Sequence, residues 1–260
     1  MKKSILMIAA GALLLATPSC KKGENDPFMS LSSRKARVAG SWEITGYEFS
    51  STNTESDGDS QTSTRTMSGD VITTTNSDFD QSSGTTTTTT STTTLNEGSY
   101  TFEKDGTYES TWNTTTVSTS TQDWFGVTYT YTYTTVSTWT ETGNWSFVGK
   151  VKDEYKNKER MVLNTLTTSS TSQTTTVETN DANSTVVTTN GDLNASTNNF
   201  HSGEVQTTFE IDQLKGKEMI LKMMESNSGT NSVTPYGGST TTSTDDVYSS
   251  EMTVTLSIVK

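Results

Sequence analysis

Four long Thr/Ser-rich segments alternate along this chain with three short charged ones, and that alternation limits the folds it can adopt. Apolar residues alternating with polar ones predict eight strands, near residues 41–50, 98–103, 107–115, 139–148, 159–168, 204–212, 218–225 and 249–259. The connections at 51–97, 116–138, 167–203 and 226–248 are long, and those at 104–106, 150–158 and 213–217 are compact. Successive turns of an antiparallel up-and-down sheet fall at opposite ends. The sequence therefore predicts an all-β, eight-stranded antiparallel up-and-down barrel with long Thr-rich β arms at one end.

The predicted strands carry enough apolar residues for a core, although the composition is unusual. Hydrophobic residues make up 29% of the chain and the net charge is -12, which is typical of disordered proteins. Thr, however, is β-branched and favours strands. Each buried core side chain contributes about 1.5–3 kcal/mol, whereas each Thr contact across the arms contributes only about 0.2–1 kcal/mol, so we expect mobile arms. The predicted core consists of Trp42, Tyr100, Phe102, Tyr108, Trp112, Trp145, Phe147, Met161, Leu163, Phe209, Ile211, Leu221, Val254, Leu256 and Ile258.

The first residues have the pattern of an export signal. Lys2 and Lys3 precede an apolar run over 5–16 that is too short to span a bilayer. The following Thr-Pro-Ser-Cys sequence ends at Cys20 and resembles the lipobox of bacterial lipoproteins, whose cysteine is acylated. Cys20 is the only cysteine, which excludes an intramolecular disulfide framework. We therefore expect a lipoprotein signal peptide over 1–19, an N-terminal linker over 20–36, and attachment to the outer membrane on its periplasmic or cell-surface face.

One arm carries a row of aromatic residues. Tyr129, Tyr131 and Tyr133 alternate with Thr, and Trp139 and Trp145 keep the same odd phase further along the chain. Val136 is out of phase, which predicts a bulge near 134–135. These tyrosines extend the core or pack on a neighbouring arm in one interpretation, and form a platform for a sugar or an apolar ligand in the other.

Several motifs resemble one family. Gly40-Ser41-Trp42 is similar to the G-x-W entry of lipocalins, and the Tyr100–Tyr108 and Gly143–Phe147 segments are similar to hairpin elements of lipocalin-like lipoproteins from Bacteroidetes. The resemblance implies that 37–260 form a lipocalin-like barrel, that Trp42 seals its floor, and that the barrel can enclose a small apolar ligand. It covers the barrel strands and none of the arms. The chain departs from the family pattern at its last strand, because 252–260 contain no Arg.

Residues with the chemistry for catalysis are scarce. His201 is the only histidine, so a His-based relay or a multi-His metal site is excluded within one chain. The acidic groups at 55–59, 78–80 and 245–246 lack the spacing of a calcium-binding loop and are interpreted as solvated charge. Nucleophile motifs, phosphate-binding loops and basic stripes are missing from the sequence. The sequence predicts a protein that is not an enzyme and that uses neither a metal nor a cofactor.

Three classes of function remain, and the third, an outer-membrane β-barrel, is opposed by the lipobox and by the lack of paired aromatic girdles. The first is a non-catalytic binding module for a small apolar ligand, a glycan or a surface partner. The alternative is a structural or adhesive cell-surface component with no small-molecule ligand. The acidic balance argues against nucleic acid as a partner. In either case we expect a monomer held to the membrane by its N-terminal lipid.

The lipid anchor gives a direct prediction. Cys20→Ala removes the only thiol that can be acylated, so the variant should take up no labelled fatty acid and should leave the outer-membrane fraction. Metabolic labelling and cell fractionation measure both effects, with Ser19→Ala as the control that keeps the cysteine. Acylation of the Cys20→Ala variant would contradict the lipoprotein prediction.

Overall fold

The computed structural model describes residues 34–148, 159–180, 186–233 and 242–259. In these residues the fold is all-β with one short helix, α1 (Arg34–Val38). The strands are β1 (Gly40–Thr54), β2 (Ser60–Ser68), β3 (Val71–Asp80), β4 (Thr85–Phe102), β5 (Thr107–Trp124), β6 (Val127–Val148), β7 (Glu159–Asn180), β8 (Val186–Asn190), β9 (Asn194–Asn199), β10 (Val205–Lys215), β11 (Glu218–Val233) and β12 (Thr242–Ile258). No helix among the described residues is both long and apolar enough to cross a membrane.

The strands form one antiparallel sheet that closes into a ring of ten strands. The ring runs β10, β11, β12 and then β1 to β7, and it closes where β10 pairs with β7 over Val205–Ile211. The strands β8 and β9 pair with the same edge of β7 beyond that contact. The predicted antiparallel all-β class is confirmed.

The predicted arms are paired continuations of the strands. Beyond residue 115, β5 runs on to Trp124 and pairs with β6 throughout. A two-residue turn joins them, in which Phe125 and Gly126 have φ of 49° and 79°, as a type I′ hairpin turn requires. In the first arm, β2 and β3 form a hairpin that lies between β1 and β4. The arms therefore keep the backbone hydrogen bonding of the sheet.

Near the compact turns, β1 meets β4 directly. Gly40–Glu43 pair with Ser99–Phe102, whereas Glu48–Thr54 pair with β2. The compact turn predicted at 213–217 is shorter than expected, because β10 continues to Lys215 and Leu214 is buried. The compact turn predicted at 150–158 lies outside the described residues.

The core fills the interior of the ring near the compact turns. All predicted core residues are buried except Trp112, Phe147 and Ile258, which pack against the core half-buried. The ring of Phe102 lies 5.5 Å from that of Trp145, edge to face, and 5.8 Å from that of Tyr100, stacked. Aromatic pairs at these distances add to the stabilisation from burial. Buried side chains occupy this part of the interior.

Trp42 lies at the floor of this core. Its side chain is 0% exposed, and its indole Nε1 donates a hydrogen bond of 2.8 Å to the carbonyl of Val38, the last residue of α1. The short helix is thereby held against the floor. The predicted burial of Trp42 in the core is confirmed, and its role in sealing a lipocalin-like floor stays a prediction.

Three bulges mark the passage from the core into the arms. Thr45 in β1, Asn96 in β4 and Leu166 in β7 have no partner residue where the register shifts. One extra residue changes which side chains face inward. In β1, for example, the inner side chains are Trp42 and Ile44 before the bulge and Tyr47 after it.

The bulge predicted near 134–135 is wrong. The strand β6 pairs with β5 from Asn144 to Val127 without a shift, and the irregularity next to β6 belongs to β7, opposite Thr142 and Gly143. Gly143 is required there, because a Cβ would overlap the carbonyl oxygen of Asn164.

The buried position of Trp42 predicts a large stability loss on truncation. Trp42→Ala should lower the free energy of unfolding by about 3–5 kcal/mol, since it removes a fully buried aromatic side chain and leaves a cavity. Urea titration measures the loss. The control Val117→Ala truncates a side chain that is 55% exposed and should change stability by less than about 0.5 kcal/mol. A loss below about 1 kcal/mol for Trp42→Ala would be incompatible with a packed floor.

Candidate binding site

An open cleft lies directly above the core, where the ring passes into the arms. Its volume is about 480 Å³, within the range of small-molecule sites. We call it the aromatic cleft; it is lined by Tyr47, Arg65, Ile72, Thr74, Thr93, Trp112, Thr114 and Trp139. Six of the ring strands, β1 to β6, contribute to its walls.

Strand register places the three aromatic residues together. Trp112 on β5 is the direct partner of Trp139 on β6, so their side chains share one face of the sheet. Tyr47 reaches that face because the bulge at Thr45 turns it inward, and its ring lies 5.5 Å from that of Trp112, edge to face. Trp139 remains 41% exposed, so its ring is available to a ligand.

Arg65 supplies a positive charge on the opposite wall. Its guanidinium lies 5.2 Å from the ring centroid of Phe49, its partner across the β1–β2 pair. Burial raises the pKa of the Tyr47 hydroxyl, and the charge of Arg65 and its hydrogen bond to Tyr47 oppose that rise. A cation held over the Phe49 ring and hydrogen-bonded to Tyr47 is placed to contact a polar group of a bound molecule.

A polar cluster lies beneath the cleft. Burial raises the pKa of Glu141, and a hydrogen bond from Trp139 opposes the rise. Burial, and then the charge of Glu141, raise the pKa of Tyr100, which accepts a hydrogen bond from Trp112. Burial raises the pKa of Tyr108 to about 12, and its hydroxyl lies 2.8 Å from Thr165 Oγ1. The indoles of the cleft are therefore anchored from below by hydrogen bonds.

The predicted tyrosines lie elsewhere on β6. Tyr129, Tyr131 and Tyr133 occupy the same face as Trp139, but Tyr133 is about 20 Å along the strand from it. The rings of Tyr131 and Tyr133 stack at 6.5 Å, and Tyr131 pairs with Glu178 on β7. Burial and then the charge of Glu178 raise the pKa of Tyr131. The row is half-buried, and the structure does not bring it into the aromatic cleft.

The other residues singled out from the sequence are Trp42, Cys20 and His201. Trp42 lies at the floor, below the cleft. Cys20 lies outside the described residues. His201 is exposed, and its backbone N–H donates to the Glu204 carboxylate at 2.9 Å. Neither Trp42 nor His201 lines the cleft.

The acidic residues interpreted as solvated charge include one compact group. Carboxylate oxygens of Glu55, Asp57 and Asp59 lie within 4.8 Å of one another in the loop between β1 and β2. Backbone N–H groups of Asp59 and Gln81 donate to Asp57 and Asp59 at 3.1 and 2.7 Å. These hydrogen bonds give the carboxylates a role in shaping the loop.

Sequence reasoning did not identify the cleft itself. Trp112 was placed in the core and Trp139 on an aromatic face, but Arg65 and Ile72 lie within a connection that was expected to be an arm. The available signal was the pair Met67 and Ile72, the apolar side chains that face each other across the β2–β3 hairpin and pack on or within the core.

Comparison of this chain with protein-family models, with curated proteins and with solved structures finds no match. The predicted kinship with lipocalin-like lipoproteins stays a prediction. The geometry of the cleft supplies the basis for a functional proposal.

Glu141 gives a pH-dependent prediction. Its pKa is raised above 4.5, so well below that pH the carboxyl is mostly neutral in both the folded and unfolded states. As pH rises through the unfolded and then the folded pKa, ionisation destabilises the folded state, and this effect persists at neutral pH. Glu141→Gln should therefore be more stable than the parent at about pH 7 and equal to it at about pH 3.5.

Chemical denaturation at both pH values measures this difference. Glu109→Gln, on an exposed position of β5, is the matched control and should show no such change. Equal or lower stability of Glu141→Gln at neutral pH would show that ionised Glu141 is not destabilising.

Proposed function

We propose that this protein is a membrane-anchored, non-catalytic binding module whose lipocalin-like barrel holds a small, partly apolar ligand in the aromatic cleft. The observation that carries the proposal is the position of Trp112 and Trp139, side by side above a filled core and open to solvent on one side. Apolar walls with a few polar groups are typical of sites for small molecules.

The barrel assignment is supported by the pairing near the floor. Because β1 meets β4 directly over Gly40–Glu43, the circuit at that level passes through eight strands. The β2–β3 hairpin widens the circuit to ten strands further up. A ring that is narrow at a Trp-sealed floor and wider at its mouth fits a lipocalin-like barrel.

The filled floor limits where a ligand can bind. Trp42, Phe102 and Leu256 occupy the lower interior and are at most 1% exposed, so a ligand held deep in the ring would have to displace them. The cleft at the mouth offers two indoles, a phenol, three Thr hydroxyls and one guanidinium.

The proposed anchor places this site beside a membrane. Acylation of Cys20 would tether the chain through the segment that precedes α1, which packs under the floor. The aromatic cleft opens at the other end of the core, where the arms begin. A molecule in the surrounding water would then reach the cleft without crossing the lipid surface.

The alternative is a structural or adhesive surface component. The filled floor favours it, as do hydroxyl contacts between arm strands, such as Ser77 with Thr88 at 3.0 Å and Thr135 with Thr174 at 2.8 Å. Cross-strand Thr and Ser pairs of this kind stabilise a sheet and need no ligand. The open cleft distinguishes the two functions, since a purely structural component does not require the exposed indole of Trp139.

Native mass spectrometry of a secreted variant that lacks Cys20, purified without detergent, tests the proposal. We expect a co-purifying molecule, and we expect Trp139→Ala to weaken its binding about two- to tenfold and so lower its occupancy, as removal of a stacking ring costs about 0.5–1.5 kcal/mol. The control Val117→Ala lies on the arm, outside the cleft, and should keep full occupancy. Unliganded protein in every preparation, or equal occupancy in Trp139→Ala, would favour the scaffold.

A further inference from the structure

A second concavity continues from the aromatic cleft into the first arm. We call it the polar groove; its volume is about 560 Å³, and its walls include Asn53, Gln61, Ser63, Asn76, Asp78 and Tyr248. Only Tyr248 among these side chains is aromatic, and it is 36% exposed. Among the described residues, no Lys or Arg lines the groove.

The groove and the cleft lie on one continuous face. On β2 the lining residues Gln61, Ser63 and Arg65 alternate, and they pass from the groove to the cleft without a shift in register. On β3 the alternate side chains from Ile72 to Asp78 also pass from the cleft to the groove without a shift in register, over a length of about 20 Å. The two concavities therefore form a single track from an aromatic end to a polar end.

Polar side chains of the groove have unused hydrogen-bonding capacity. Within the described part of the chain, the side chains of Asn53, Gln61, Asn76 and Asp78 make no hydrogen bond to protein. Amides both donate and accept hydrogen bonds, and a carboxylate accepts them. Tyr248 is the direct partner of Asn53 across the β1–β12 pair, so an aromatic ring stands beside these groups.

We propose that the groove and the cleft together bind a neutral oligosaccharide, with one sugar ring stacked in the aromatic cleft and the next ones hydrogen-bonded along the groove. The inference rests on the proposed function, because it uses the same cleft, and it adds the class of ligand. Sugar hydroxyls donate and accept hydrogen bonds, which matches amide and carboxylate groups, while sugar ring faces pack on aromatic side chains.

Other ligand classes fit the track less well. A lipid chain along the groove would bury the amides and Asp78 without hydrogen-bonding partners, which is costly. A polyanion would be repelled by Asp78 and by the net charge of -12 on the chain. An extended peptide is usually held by the backbone at a free sheet edge, whereas here the strands β1 to β4 are paired and present side chains.

The first test is a screen of the full chain, in mild detergent, on an array of neutral, acidic and sulfated oligosaccharides, with palmitate and a random peptide pool as separate probes. We expect a neutral oligosaccharide to bind. Calorimetry then compares that oligosaccharide with the methyl glycoside of its terminal sugar. The oligosaccharide should bind more tightly, since only it reaches the groove.

Variants separate the groove from the cleft. Asn53→Ala with Asn76→Ala should weaken oligosaccharide binding about tenfold, as expected for two lost hydrogen bonds, and leave the methyl glycoside unaffected. The matched control is Thr52→Ala with Thr75→Ala, adjacent positions on the opposite face of the same strands. Trp139→Ala should weaken both ligands.

Three results would overturn the inference. If palmitate alone binds, and Trp139→Ala abolishes that binding, the cleft would remain a binding site but its ligand would not be an oligosaccharide. Binding of acidic glycans or peptides alone would assign the track to another class. Equal effects of the groove pair and its control, with both proteins folded by circular dichroism, would show that the groove takes no part.

Discussion

Burial of Trp42 is the interaction on which the other parts of this fold depend. Trp42 sits on β1, the strand that pairs with β12, with β4 and, further along, with β2. Its indole also holds the end of α1 through the Val38 carbonyl. One buried side chain thus connects the first described element, the last strand and the β4–β5 hairpin. Packing of this floor, rather than pairing in the Thr-rich arms, supplies most of the apolar burial that stabilises the ring.

The site follows from where that packing stops. Below the bulges at Thr45, Asn96 and Leu166 the inner face is apolar and filled. Above them the ring admits the β2–β3 hairpin and widens, so Trp112 and Trp139 are hydrogen-bonded to Tyr100 and Glu141 below and have open space above. Further still, the inner side chains are Asn, Gln, Ser and Thr, and the interior becomes hydrophilic. The change from aromatic to amide side chains along one face gives the proposed ligand both an apolar and a hydrogen-bonding surface.

The sequence was sufficient to predict strands and their inward side chains where the two faces of a strand carry different residue types. Tyr100 and Phe102 alternate with polar residues, so their inward position and the strand itself could be predicted. In the segment 85–94 nearly every residue is Thr, both faces look alike, and neither register nor partner can be read from it. The bulge at Thr45 is different, because the apolar phase of β1 changes in the sequence from Trp42 and Ile44 to Tyr47 and Phe49. That change was not interpreted as a bulge, and the inward turn of Tyr47 was missed with it. Register in these arms is imposed by pairing that begins in the core.

Closure of the ring at the β7–β10 pair tests the account most directly, because an open sheet could not enclose a packed floor. In a three-dimensional nuclear Overhauser spectrum of labelled protein, we expect contacts between the backbone protons of Phe209 and Met161, which are direct partners. We also expect contacts between the Trp42 indole N–H and Val38. Absence of the Phe209–Met161 contact, with Phe209 amides exchanging as fast as those of a loop, would contradict a closed ring.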